Sequence, residues 1–134
     1  MGIRFVNKDA FFKQLLSVVP EAEKAMGDAN SKSADVFVGM AKSLAPVKTG
    51  KLRDSIKKVP GPRPGSFFVQ AGGEETTVAS QGGTYDYALA QEYGTQNNGR
   101  QPFFWPSFRA NKRPTRDRVR RALVKSIKAK GFQT

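Results

Sequence analysis

The sequence predicts an α+β fold in a single domain, residues 1–134, with a long N-terminal helix and a C-terminal helix packed on a small antiparallel sheet. Three observations carry that expectation. Apolar residues recur at helical spacing in residues 22–44 and again at Val119, Leu123 and Ile127. Between them, residues 67–71 and 76–79 are short runs of strand-forming residues. Clusters of Pro and Gly punctuate the middle of the chain, as turns require.

Each element has its own signal. Phe11, Phe12, Leu15, Leu16 and Val19 mark a short amphipathic helix over residues 8–19. Pro20 suits the first turn of a second helix, and Glu21 and Glu23 favour the positive end of its dipole. Ala22, Ala25, Met26, Ala29, Val36, Phe37, Met40, Ala41 and Leu44 continue that helix. Gly27 and Asn30-Ser31-Lys32-Ser33 weaken its middle, where a bend is expected. Pro46 ends it. Residues 52–59 fit a helical turn running into a strand, a choice that periodicity leaves open.

The Pro/Gly run near 60–66 predicts an extended or mobile loop. Gly72-Gly73-Glu74-Glu75 has the spacing of a hairpin joining the two strands, and residues 80–84 read as another loop. Residues 85–93 form a helix that Gly94 stops, followed by a polar loop over 95–101. Residues 102–108 hold four aromatics, Phe103, Phe104, Trp105 and Phe108, which the fold is expected to bury. Pro114 then opens a basic C-terminal helix near 114–130, which Gly131 closes.

Charge is concentrated at that end. The chain carries 23 Lys and Arg against 11 Asp and Glu. From Arg109 onward there are ten basic residues and one acid, Asp117. Such asymmetry points to a polyanion or to an acidic partner surface. Arg109, Arg116, Arg120, Arg121, Lys125 and Lys128 are the candidate contacts with DNA or a protein partner.

The same composition speaks against catalysis. Histidine is missing, which removes the commonest general base and metal ligand, and with cysteine missing too a catalytic site would need carboxylates, Ser–Lys chemistry or tyrosine. The acids are scattered: Asp86 and Glu92 would lie about 240° apart on one helix, and Glu74-Glu75 sits in a turn. The glycines make no phosphate-binding loop. No enzyme, no cofactor and no metal site is expected. No apolar run approaches the roughly 20 residues needed to span a bilayer, residues 1–5 lack the features of a secretory signal, and the absence of cysteine fits assembly in a reducing bacterial cytoplasm.

Three blocks occur in order: Leu44-Ala45-Pro46-Val47-Lys48-Thr49-Gly50-Lys51-Leu52-Arg53-Asp54-Ser55-Ile56, then Tyr87-Ala88-Leu89-Ala90-Gln91-Glu92-Tyr93-Gly94-Thr95, then Pro102-Phe103-Phe104-Trp105-Pro106-Ser107-Phe108. Together they resemble the neck and minor-tail protein family of long-tailed and Hong Kong-type lambdoid phages, whose members serve as tail-completion or head–tail joining proteins. The residues that carry the resemblance are Pro46, Thr49, Gly50, Leu52, Ser55, Ile56, Tyr87, Ala88, Glu92, Gly94, Thr95, Pro102, Phe103 and Pro106. Ser107 stands where the family usually has alanine.

The resemblance implies a structural virion protein of the tail or neck. It implies a homo-oligomer, a hexameric ring, whose partners are other neck and tail-tube proteins, with no membrane involved. Non-specific contact with passing genome DNA is a further expectation for the basic helix. The competing reading is a free, basic nucleic-acid-binding protein. Against it, the aromatic block lacks the strand-borne stacking pattern of an RNA-recognition motif, and the last helix lacks a helix-turn-helix partner.

Overall fold

The computed structural model describes residues 8–47, 50–96 and 99–131, with side chains from Leu16 onward. Among these residues the order is α1 (Lys8–Leu44), α2 (Lys51–Ser55), β1 (Lys57–Pro60), β2 (Phe67–Gln70), a 3-10 turn (Glu74–Thr76), β3 (Thr77–Ser80), β4 (Gly83–Asp86), α3 (Tyr87–Tyr93) and α4 (Phe104–Ala129). The α+β expectation holds, with the sheet divided in two.

The frame is an antiparallel pair of long helices, α1 of about 55 Å and α4 of about 39 Å. Three cross-links show their direction. Glu21 pairs with Lys130 at 2.9 Å, Ser33 accepts from the Arg118 guanidinium at 2.8 Å, and Asn111 reaches the Met40 sulfur at 3.4 Å. Along α1 and one residue past its end, the residues at intervals of four, Ala29, Ser33, Phe37, Ala41 and Ala45, are all buried. Four of these five are small, which lets α4 approach closely.

Both helix starts differ from the sequence reading. Pro20 lies inside α1, so residues 8–44 form one helix without a second N-terminus. Pro114 lies inside α4, which begins ten residues earlier, at Phe104. An interior proline costs about 3 kcal/mol, yet each helix packs on both sides of its proline. Val18 and Ala29 are buried around Pro20, and Asn111 and Arg118 engage α1 around Pro114. Tertiary burial outweighs the local preference. The first apolar stripe is also shifted: Leu16 and Val19 are exposed and Val18 is buried. The side chains of Phe11, Phe12 and Leu15 lie outside the described residues.

The strands pair differently from expectation. Residues 72–75 do not join a hairpin. β2 pairs backward with β1, Val59 opposite Phe68, and β3 pairs forward with β4, Val78 opposite Tyr85. The result is two separate two-stranded antiparallel sheets, with the 3-10 turn between them. Residues 80–84, read as a loop, contain the tight turn of the second hairpin and the start of β4. Residues 85 and 86 belong to β4, so α3 starts at Tyr87 with Asp86 as its N-cap.

One core draws on most elements: Phe37, Ala41 and Ala45, then Leu52 and Ile56, Ala88 and Phe103, with Val69 and Phe104 packed against it. The turn over residues 61–66 is closed by Gly61 N–H donating to the Ser66 carbonyl, and it rests on α1. Asn30 Nδ2 donates to the Gly65 carbonyl at 3.0 Å, and a Cβ on Gly27 would lie 3.1 Å from the Gly65 Cα.

That close approach reverses the usual effect of glycine in a helix. At Gly39 a Cβ would meet nothing within 4 Å, so Gly39→Ala should stabilise the protein by about 0.5–1 kcal/mol. At Gly27 the new methyl would press on backbone held by two hydrogen-bonded anchors. Gly27→Ala should therefore destabilise by about 1 kcal/mol or more. Urea denaturation of the two variants checks the opposite signs, and equal shifts would contradict the packing described.

Candidate assembly surface

The first block turns the chain from α1 back onto the core. Pro46 is half-buried just beyond α1 and Gly50, at φ 83°, is the N-cap of α2. Leu52 and Ile56 are buried, and the Ser55 hydroxyl donates to the Leu52 carbonyl at 2.6 Å while accepting from Gly72 N–H at 3.0 Å. Thr49 lies outside the described residues.

The second and third blocks are joined by one carboxylate. Glu92 is 6% exposed, and its side chain accepts from three backbone N–H groups at the start of α4. Phe103 and Phe104 donate to Oε2 and Trp105 to Oε1, each at 2.9 Å. No side chain of its own caps α4, so a residue from α3 supplies the acceptor that the unpaired first-turn amides and the helix dipole favour. Pro106 falls in that first turn, where its missing N–H costs little. Gly94, at φ 81°, ends α3, and Gln101 N–H donates to the Gln91 carbonyl at 2.7 Å, which brings the exposed Pro102 and the buried Phe103 beside α3.

Two other motif residues sit in the same frame. Ala88 is buried and Tyr87 packs on the core. Thr95 is exposed. Ser107, the departure from the family pattern, is fully buried, with its hydroxyl satisfied by the Phe103 carbonyl at 2.6 Å. Asp86 plays a capping part like that of Glu92: it accepts from Ala88 N–H, Gly73 N–H and the Thr76 hydroxyl. Sequence spacing sets these two carboxylates apart as poorly placed for catalysis, and gives no sign that both hold backbone. Among the described residues, no three His, Cys, Asp or Glu side chains gather as a metal site.

The aromatic block is only partly core, contrary to expectation. Phe103 is 1% exposed, whereas Trp105 and Phe108 are 42% and 41% exposed. The rings run as an edge-to-face series: Phe37 to Phe104 at 5.1 Å, Phe104 to Trp105 at 5.6 Å, Trp105 to Phe108 at 5.7 Å. The Trp105 indole donates to the Tyr93 hydroxyl at 2.7 Å. Trp105 borders two grooves. One, of about 560 Å³, has α1 as its floor, with β2 and α4 as walls and Phe68 and Phe108 on its sides. The other runs past Leu89 and Tyr93 of α3. Exposed Phe68, Trp105, Phe108, Tyr93 and Leu89 thus form a connected apolar surface, the kind that marks a contact with another macromolecule.

The basic residues of α4 and its C-cap, Lys130, divide by face. Arg118 and Lys130 are spent on α1, through Ser33 and Glu21. Arg109, Arg116 and Arg120 lie on the outer face with Arg113, which the charge pattern alone does not single out. Their spacing of i, i+4, i+7 and i+11 places all four within a sector of about 60°, and all four are exposed. Arg121, Lys125 and Lys128 occupy a flank, where Arg121 and Lys125 border a groove with Asp28 and Lys32 of α1. No helix among the described residues is long and apolar enough to cross a membrane.

These features define a class: a small α+β protein whose distinctive chemistry lies in exposed aromatic and basic surfaces. The chain belongs to the HK97-gp10-like family, described as "Bacteriophage HK97-gp10, putative tail-component", whose model matches residues 9–94. It is a structural component of a phage tail, and hence part of the virion. The match contains the first block and the second as far as Gly94, so Thr95, the aromatic block and α4 fall beyond it. No curated protein and no solved structure matches the chain.

Proposed function

We propose that this tail component acts at the neck, completing the tail or joining it to the head as a hexameric ring, and that it works by assembly and not by catalysis. The observation that carries the reading is the connected apolar surface of Phe68, Leu89, Tyr93, Trp105 and Phe108, each between 41% and 62% exposed, which a subunit interface would cover. Other neck and tail-tube proteins are the proposed partners, met after assembly in the host cytoplasm. The turn near 60–66 and the loop over 95–101 are proposed to lie at those contacts. Deleting the gene from the phage or prophage that encodes it should leave filled heads and separate tails. Normal joined particles would overturn the reading.

A second reading is favoured by the outer stripe of α4. Four arginines in one sector match the repeating phosphates of duplex DNA, contacted without sequence preference, or an acidic protein surface. Replacing Arg109, Arg113, Arg116 and Arg120 with Gln should flatten the salt dependence of DNA binding, lowering the log–log slope by about 3.5. An unchanged slope with impaired particle assembly would assign the stripe to a protein partner.

A further inference from the structure

Two parts of the surface lack a partner among the described residues, and they suit each other. The first is the β3–β4 hairpin. Every residue of β3 and all but Asp86 of β4 are exposed, and among the described residues no other helix or strand packs extensively along it. Val78 and Tyr85 sit opposite each other, so both project from one face, at 38% and 46% exposure. A lone two-stranded hairpin is marginal in water. This one is held mainly at its base, by the bonds of Asp86 to Gly73 and Thr76.

The second is the 560 Å³ groove, which runs beside residues 66–69. Gly61 N–H donates to the Ser66 carbonyl, and antiparallel pairing alternates, so Phe68 and Gln70 bond to β1. The N–H and C=O groups of Phe67 and Val69 then face outward along a free strand edge, where no hydrogen bond from a described residue meets them. Such an edge beside apolar pockets is the setting for strand addition. No residue of the hairpin lines the groove of its own chain.

We propose that the groove of one copy receives the β3–β4 hairpin of a second copy. The two-stranded β1–β2 sheet then continues across the subunit boundary, and Val78 and Tyr85 are covered by Phe68, Trp105 and Phe108. Charge agrees: exposed Glu74 and Glu75 lie at the base of the hairpin, and exposed Lys112 lines the α4 side of the groove. Hairpin and groove are different patches, so the contact is heterologous and each copy both gives and receives, as a closed ring requires. The proposal rests on the ring reading above and names its interface.

Sedimentation velocity on the full chain tests it with Tyr85→Glu and Phe68→Glu, both at exposed positions, with circular dichroism to confirm folding. Each variant alone should weaken self-association at least tenfold. Mixed together, they should form a dimer and nothing larger, because the intact hairpin of one meets the intact groove of the other. Wild-type assembly by both variants, or a mixture that stays monomeric, would overturn the interface while leaving the ring reading standing. A wild-type chain that remains monomeric up to roughly millimolar concentration would overturn both.

Discussion

Replacing Glu92 with alanine is expected to lower the unfolding free energy by about 3 kcal/mol and the melting temperature by about 10 °C. The size follows from what the carboxylate holds. Three amides at the start of α4 donate to it, and those of Phe103, Phe104 and Trp105 have no side chain of their own helix to turn to. Removing the acceptor strands donors beside the buried Phe103, which costs more than the bonds themselves gain. It also removes a negative charge from the positive end of a 26-residue helix. Glu92→Gln is the sharper variant. It keeps the shape, but one of the two oxygens becomes an NH₂ group aimed at backbone donors. A loss of about 2 kcal/mol is expected, and urea denaturation that found the Glu92→Gln variant as stable as wild type would refute the capping role.

This contact also explains why the sequence blocks belong together. Glu92 in the second block holds the backbone of the third, and Ser55 in the first binds the Gly72 amide near the base of the second hairpin. The motif residues are therefore mainly joints of the fold. The ordered blocks made the family legible from sequence, because a joint demands particular residue types at particular spacings. The long helices were legible for a similar reason: burial every fourth residue from Ala29 to Ala45 imposes a period. Their starts were not, because Pro20 and Pro114 look like N-terminal residues and only tertiary packing shows that the helices run through them.

The strand β3 was legible as residues 76–79, but its partner β4 and their pairing escaped the sequence for the opposite reason. Alternation appears in a strand when one face is buried, and here both faces are open, so residues 77–86 carry no such pattern. Gly82-Gly83 then reads as plain loop. The basic helix was visible as composition, but its division was not: nothing local distinguishes Arg118, bound to Ser33, from Arg113 or Arg116 in solvent. Features that serve the fold leave periodic traces. Features held for a partner leave few.

Neighbouring aromatics offer a direct separation of those two roles. Phe103 is 1% exposed within the core formed by Phe37, Ala41, Ile56 and Ala88. Phe103→Ala should cost about 3–5 kcal/mol, the transfer energy of the ring plus the cavity left behind. Trp105, two residues on, is 42% exposed and borders both apolar grooves. Trp105→Ala should cost about 1 kcal/mol in the isolated chain, since its ring contacts and its bond to Tyr93 lie at the surface. Its effect on self-association should be far larger, because buried tryptophans dominate interface energies. Denaturation and sedimentation run on both variants give a crossed pattern: Phe103→Ala, refolded at low temperature, loses stability but keeps the surface, and Trp105→Ala keeps stability but loses assembly. If Trp105→Ala assembled as tightly as wild type, the exposed aromatic surface would have no part in the ring.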